Sequence, residues 1–159
     1  MTLPLPEDAY AFPASFAQQR LWFLDQLESG TAVYNIPQAF RLKGKLKLEL
    51  LERSFATVVE RHESLRTTFS SDAGSPLQVV DDASRFSLNV VDLSHLGEEE
   101  RLSQAKEMAA DEAAKGFDLA KGPLLCATAY TLAEDDHVLF FNVSHIVCDG
   151  WSLALLFSE

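Results

Sequence analysis

The residues best suited to chemistry lie near the C-terminal end, where positions 144–152 read SHIVCDGWS. The apolar run before them predicts a buried strand that delivers His145 at its end, and Asp149-Gly150 predicts a tight turn shortly afterwards. A neutral imidazole at a strand end accepts a proton near pH 7, because the unperturbed pKa of histidine is about 6.5. The spacing thus indicates a general base near a carboxylate. A core histidine held by a backbone partner is the alternative interpretation.

Strand geometry sets Ser144 and His145 on different sides of this predicted strand. Successive side chains point to opposite faces, so only one of the two residues faces a given cleft. A Ser144–His145 acyl-transfer pair is therefore excluded. Cys148 lies three residues after His145 and suggests a Cys–His nucleophile, but its apolar neighbours favour a buried, unreactive thiol.

Asp149 has two interpretations. It suits the N-cap of the terminal helix, as does Ser152. It also suits an ion pair that fixes the loop behind His145, and the candidate cations lie in residues 61–69, RHESLRTTF. A solvated charge run is the simpler interpretation of that segment, although the apolar residues around Arg66 predict that its side chain is drawn partly inward.

Length, composition and charge exclude several classes of function. The 159 residues suit one domain or one lobe of a larger one, and the 47% hydrophobic content is typical of a globular chain. The net charge of −11 argues against nucleic acid or an anionic membrane as a partner. Neither a membrane span nor a signal peptide is indicated. Cys126 and Cys148 predict reduced thiols in a cytoplasmic protein, and the scattered His and Cys residues predict no metal site.

The apolar periodicity predicts a mixture of helices and strands, and therefore an α/β fold. Residues 1–13, which contain three prolines, are predicted to be a linker. Helices are expected over 15–27, 48–61, 98–115 and 151–157, and strands over 34–42, 65–69, 77–80, 86–91, 124–132 and 137–144. The last two strands are expected to form a hairpin.

Three expectations about the helices are specific. Ser15 is predicted to cap the first helix, and Gly116 is predicted to end a long exposed third helix. The fourth helix is apolar and has no C-cap signal, which indicates that the fold continues after this chain. The apolar face of the first helix is expected to comprise Phe16, Phe23, Leu24 and Leu27, with Arg20 on the same side.

Three segments in order resemble the motifs of nonribosomal peptide synthetase condensation domains. Residues 15–27, SFAQQRLWFLDQL, resemble the opening motif of that family, and residues 61–69 resemble its second motif. Residues 144–152 resemble its H-H-x-x-x-D-G motif, and 117–125 is another similar stretch. The resemblance implies an α/β, chloramphenicol acetyltransferase-like fold with a mixed β-sheet packed by helices. Residues 14–159 would then be the N-terminal lobe of a two-lobed domain, without the C-terminal lobe.

The resemblance also implies a reaction and its partners. An upstream carrier protein would bring an acyl or peptidyl thioester, and a downstream carrier an aminoacyl thioester, each on a phosphopantetheine arm. The domain would join them by an amide bond without a directly bound cofactor or metal. The isolated lobe is expected to be inactive.

Site residues carry over by position. His145 matches the histidine implicated in catalysis, and Asp149 matches a structural aspartate whose usual salt-bridge partner corresponds to Arg66. Gly150 would let the backbone approach the tunnel closely. Ser144 departs from the motif, which has a first histidine there. This departure leaves two alternatives beside the amide-forming enzyme: a degenerate module that binds carriers without catalysis, and a CoA-dependent acyltransferase of the same fold.

Overall fold

The computed structural model describes residues 10–72, 74–81 and 86–159. These residues form a mixed α/β architecture, which confirms the predicted fold class. The strands are β1 (Tyr10–Pro13), β2 (Asn35–Lys43), β3 (Thr67–Asp72), β4 (Ser75–Val80), β5 (Leu88–Asp92), β6 (Leu125–Ala133) and β7 (Asp136–Ser144). The helices are α1 (Phe16–Leu27), α2 (Leu48–Arg61), α3 (Glu98–Ala113) and α4 (Gly150–Leu156), with a 3-10 helix at Glu63–Arg66.

The strands form two sheets. The larger sheet has the order β2-β7-β6-β5, in which β7 is antiparallel to both of its neighbours and β5 is parallel to β6. The smaller sheet has the order β1-β4-β3 and is antiparallel throughout. The predicted β6–β7 hairpin is confirmed. It places β7, the strand that leads to His145, in the interior of the larger sheet.

The two faces of β7 pack into different cores. Leu139, Phe141 and Val143 belong to a core that also contains Val59 of α2. Val138 and Phe140 belong to a second core on the other face, where α3 contributes Ala105 and Ala109. This division confirms the alternation predicted for the strand. It also corrects the prediction of an exposed third helix, because one side of α3 is buried against the sheet.

Helix α1 begins where the sequence predicted but buries a different face. Ser15 forms a capping box, since its side chain accepts from the Gln18 N–H while the Gln18 side chain accepts from the Ser15 N–H. The residues packed on the core are Leu21 and Trp22. The residues expected to be buried, Phe16, Phe23 and Leu27, are 91%, 58% and 66% exposed. Apolar residues occur on more than one side of this helix, so periodicity alone did not identify the buried side.

Other boundaries differ from the sequence predictions. The strand expected over 65–69 begins at Thr67, because Leu65 and Arg66 belong to the 3-10 helix. Residues 10–13 of the predicted linker form β1, whose backbone pairs with β4; the rest of that segment lies outside the described residues. Helix α3 ends at Ala113, before Gly116, which instead lies against the backbone of Gly30. None of the helices in the described part of the chain is long and apolar enough to cross a membrane.

Candidate active site

The end of β7 is held by backbone hydrogen bonds on both sides. The Ser144 N–H donates to the Leu124 carbonyl at 2.9 Å, and the His145 N–H donates to the Tyr34 carbonyl at 2.8 Å. The chain then turns, with the Val147 N–H donating to the Ser144 carbonyl at 3.1 Å. Three bonds within four residues fix this backbone, so the position of the His145 side chain is set by the larger sheet.

Ser144 and His145 face different environments, as the strand geometry predicted. Ser144 is 4% exposed, whereas His145 is exposed. No hydrogen bond among the described residues involves the His145 ring. An accessible imidazole at the end of a rigid strand is able to accept or donate a proton to a bound group.

Asp149 is the N-cap of α4. Its carboxylate accepts a hydrogen bond from the Ser152 N–H at 2.8 Å and another from the Ser152 hydroxyl at 2.7 Å. These bonds hold the pKa of the Asp149 carboxyl below its usual range, and the nearby His145 adds to the effect. The capping interpretation of Asp149 is therefore confirmed. Gly150 is the first residue of the helix, and a Cβ there would meet open space.

The structure does not bring Arg66 and Asp149 together as an ion pair. The Arg66 guanidinium donates to the Asp81 carbonyl and lies 3.5 Å from the Glu63 carboxylate. Its side chain is only 13% exposed, which agrees with the predicted inward position, and its Nε is buried without a partner among the described residues. The guanidinium extends towards the end of β4, and the two hydrogen bonds that the Asp149 carboxylate accepts from Ser152 both reach Oδ1. The expected pair is not formed in this structure.

Cys148 has the properties of a core residue. It is 4% exposed, and burial raises the pKa of its thiol to about 11, with a further contribution from the neighbouring Asp149. A thiol with this pKa is almost entirely protonated at pH 7, so the site lacks the thiolate that nucleophilic catalysis requires. No cluster of three or more potential metal ligands exists among the described residues.

Sequence reasoning missed one residue close to this site. Asp25 of α1, together with Tyr34 and Ser144, lines a cavity behind the end of β7. Asp25 lies inside the segment that resembles the opening motif, and the only signal for it was a carboxylate among apolar helix positions. Such a residue is indistinguishable from a surface position until the buried face of the helix is known.

Comparison with known proteins identifies the family. A model described as Condensation domain matches residues 9–159. The chain belongs to the condensation domain family. This membership confirms the resemblance drawn from the three motifs, and the match begins at residue 9, so it includes strand β1.

Named relatives of this condensation domain chain are large synthetases. One of the linear gramicidin synthase proteins of Brevibacillus parabrevis is 46% identical over 157 residues, which is 99% of this chain and 2% of that protein. Phosphinothricin tripeptide synthetase PhsC of Streptomyces viridochromogenes is 40% identical over 151 residues, which is 95% of this chain and 14% of that protein. The chain therefore spans a small part of the curated relatives it matches.

Solved condensation domains share the fold. The starter condensation domain of rhizomide synthetase superposes with a TM-score of 0.84 at 23% identity, over 93% of this chain and 36% of that one. The first condensation domain of the calcium-dependent antibiotic synthetase, in complex with a substrate analogue, gives a TM-score of 0.82 at 26% identity. It is matched over 93% of this chain and 35% of its own. The chloramphenicol acetyltransferase-like fold is thus confirmed, over about a third of each solved chain.

Proposed function

We propose that this chain is the N-terminal lobe of a nonribosomal peptide synthetase condensation domain that forms amide bonds. The observation that carries the proposal is the placement of His145, exposed at the end of an interior strand and fixed by the Tyr34 carbonyl. Membership of the condensation domain family supplies the reaction class. In this proposal a second lobe faces the exposed His145 side chain and completes the site.

The proposed step joins an amine to a thioester. The amine nitrogen of the acceptor attacks the thioester carbonyl of the donor, a C–N bond forms, and the C–S bond breaks. The amine loses one proton and the departing thiolate gains one, so an imidazole that accepts and then returns a proton balances the step. His145 serves that role, or orients the amine, or stabilises the tetrahedral intermediate. Asp149 supports it by holding the turn and α4 in place.

The proposed partners follow from the same reaction. Carrier proteins upstream and downstream deliver the two substrates on phosphopantetheine arms, and the lobe binds no cofactor or metal of its own. The proposed site needs a second lobe to complete it, so we expect the N-terminal lobe by itself to be inactive. The two unpaired cysteines, Cys126 and Cys148, support a cytoplasmic location.

A second candidate function is a carrier-binding module without catalysis. Two observations favour it: Ser144 occupies the position of the first motif histidine, and Arg66 makes contacts other than the expected one with Asp149. Binding of carriers requires the surfaces of the fold but not the His145 imidazole. Catalysis and binding are therefore separable by a substitution at His145.

The deciding experiment measures amide formation between two loaded carrier proteins by the complete condensation domain that contains this chain. We expect His145→Ala to abolish the product, because it removes the proton-accepting ring. His95→Ala is the matched control, since His95 is an exposed histidine in the turn before α3 and its loss should leave the rate unchanged. Undiminished product from His145→Ala would overturn the catalytic role.

Carrier binding and product formation by the unsubstituted protein distinguish the two candidate functions. If it binds both carriers but forms no product with any loaded pair, and Ser144→His does not restore turnover, the binding module is the better description. Product formed from acyl-CoA without a carrier would instead indicate the CoA-dependent alternative.

A further inference from the structure

The side chain of Asn35 joins two elements that meet behind the end of β7. Its Nδ2 donates to the Ala113 carbonyl at 2.9 Å and to the Lys115 carbonyl at 2.7 Å. A carboxamide nitrogen carries two hydrogens, so both of its donors are used. Because both partners are carbonyl oxygens, the nitrogen and not the oxygen of the amide faces them. The first residue of β2 is thereby bonded to the C-terminal end of α3.

These two hydrogen bonds, the Asn35 cap, satisfy carbonyls at a helix end. Ala113 is the last residue of α3, and the final carbonyls of a helix have no partner within it. The same end carries partial negative charge, which an N–H donor compensates. Asn35 supplies that donor from a strand, although it lies 78 positions from Ala113 in the sequence. A carboxylate in its place would face the same oxygens with no hydrogen to offer them.

The main chain of the same residue reaches the strand end that carries His145. Asn35 pairs with Ser144 at the end of the β2–β7 ladder. One residue further along, the His145 N–H donates to the Tyr34 carbonyl at 2.8 Å. Asn35 is therefore covalently next to the residue that holds the His145 backbone. The position of the Tyr34 carbonyl depends on how firmly the start of β2 is fixed.

The Asn35 cap is the hydrogen-bonded connection between the start of β2 and α3. The chain before β2 is a turn, in which the Asn35 N–H donates to the Ala32 carbonyl at 3.0 Å. The Gly30 backbone also packs against Gly116. In the part of the chain that the structure describes, no other hydrogen bond joins residues 28–35 to α3 or to the connection that follows it. Loss of the cap would leave this turn and Tyr34 with fewer restraints.

We propose that Asn35 is a positioning residue for His145, which acts through the Tyr34 carbonyl. The cap holds the start of β2 on α3 and so keeps this carbonyl aligned with the His145 N–H. Paired residues of antiparallel strands share a face, so Asn35 lies on the same face as Ser144 and on the other face from the imidazole. The cap therefore restrains the strand end without occupying the site. The catalytic consequence rests on the proposed function, whereas the restraint is measurable without substrate.

The restraint matters because proton transfer depends strongly on distance. A general base acts only within hydrogen-bond reach of the proton that it accepts, and a displacement of about 1 Å can reduce a rate about a hundredfold. The His145 imidazole moves with its backbone, which the Tyr34 carbonyl holds. We therefore expect loss of the cap to lower kcat, and to leave KM for the carriers unchanged because it alters no surface that they contact.

The first test measures amide hydrogen exchange at His145 in the complete condensation domain that contains this chain. Selective 15N-histidine labelling makes this amide visible by NMR, and its absence from His145→Ala assigns it. In Asn35→Ala we expect its protection to fall by about tenfold, because its bond to Tyr34 opens more often. The Tm should fall by roughly 2–4 °C, since two hydrogen bonds are lost.

Thr128→Val is the matched control. The Thr128 hydroxyl donates to Glu112 Oε2 at 3.0 Å, so this substitution also removes a hydrogen bond between α3 and the larger sheet. Thr128 pairs with Phe140 in the middle of β7, away from the strand end. The control should lower the Tm by a similar amount and leave the protection of the His145 amide unchanged. It separates a general loss of stability from a local loss of restraint.

The second test measures amide formation between two loaded carriers. We expect Asn35→Ala to lower kcat roughly tenfold with KM unchanged, and Thr128→Val to leave kcat unchanged. Asn35→Ser offers one shorter donor and should give an intermediate kcat; it also carries the test if Asn35→Ala does not fold. Asn35→Asp keeps the shape but has no hydrogen to donate, so it should be at least as damaging as Asn35→Ala.

Each outcome decides part of the proposal. Unchanged exchange at His145 in Asn35→Ala, or full activity in Asn35→Asp, would overturn it. An equal loss of kcat in Thr128→Val would do the same, because general destabilisation would then explain the effect. Faster exchange with unchanged kcat would refute the positioning role and leave the restraint established. If exchange accelerates but the unsubstituted domain forms no product, the proposed function and the positioning role both fail, and the restraint stands.

Discussion

The Asp149 carboxylate accepts two hydrogen bonds from a single residue, the N–H and the hydroxyl of Ser152. Both lie at the first turn of α4, so the aspartate that follows His145 in the motif holds the beginning of a helix. The connection between His145 and α4 is only a few residues long. The position of this helix and the position of the imidazole are therefore mechanically linked through Asp149.

Asp149→Ala should destabilise the domain as well as slow its reaction. The substitution removes the cap, so we expect the Tm to fall by roughly 2–4 °C in thermal unfolding. Asp149→Asn keeps a side-chain oxygen that caps helices well and should retain most of the stability. If Asn destabilised as much as Ala, the carboxylate would have a role other than capping. If neither substitution changed the Tm, α4 would not depend on this cap.

Gly116→Ala should be strongly destabilising, for a reason that its sequence position does not reveal. A Cβ at this position would overlap the backbone oxygen and carbon of Gly30, which cannot move aside as a flexible side chain would. We expect a loss of about 1–3 kcal/mol in chemical denaturation, typical of overpacking. Gly150→Ala is the control, because a Cβ at this helical position would meet no atom within 4 Å. A Gly116 variant as stable as the Gly150 variant would show that the two loops separate at little cost.

Sequence patterns predicted the positions of helices and strands better than they predicted which side of a helix is buried. Helix α2 was predicted with its observed bounds, and the alternation of β7 between two cores was predicted from strand geometry alone. Both follow from local periodicity. The exposed Phe16 and Phe23 of α1 were predicted to be buried, because a helix with apolar residues on several sides leaves the choice to tertiary contacts.

The same distinction holds at the candidate site. The placement of His145 at a strand end follows from the apolar run before it, and the capping by Asp149 follows from local helix chemistry. The contacts of Arg66 with Asp81 and the cavity between Asp25 and Ser144 join segments that are far apart in the chain. No local pattern encodes contacts between distant segments. The Arg66–Asp149 pair was expected only from the motif resemblance, and this structure does not contain it.

Acid should destabilise the β2–β7 pairing through Asp136. The Arg41 guanidinium lies 2.6 Å from its carboxylate and the Lys43 ammonium 2.8 Å, and these bonds hold the pKa of Asp136 well below its usual range. A carboxyl with a lowered folded pKa contributes stability that is present above its unfolded pKa, about 3.9, and is lost as the pH falls below it. We therefore expect the Tm to drop between about pH 4 and pH 2.

Asp136→Asn should make the Tm less dependent on pH between about pH 4 and pH 2, and it should lower the Tm at pH 7. Asp135→Asn is the matched control, since Asp135 is the adjacent acid in the hairpin turn and its side chain has no ion pair in the described residues. An unchanged pH profile in the Asp136 variant would assign the acid sensitivity to other carboxylates.

Cys148 should behave as an inert thiol although it lies three residues from His145. Its pKa of about 11 results mainly from burial, and its Sγ donates to the Asp149 carbonyl at 3.7 Å, so little thiolate exists at pH 7. We expect alkylation of the folded protein by iodoacetamide to leave Cys148 unmodified at pH 7, and amide formation to persist in Cys148→Ala. Mass spectrometry of the labelled protein, with a urea-unfolded sample as the positive control, measures the first outcome. Rapid labelling at pH 7 with loss of activity in Cys148→Ala would restore the Cys–His nucleophile, because both results require an accessible thiolate beside the imidazole.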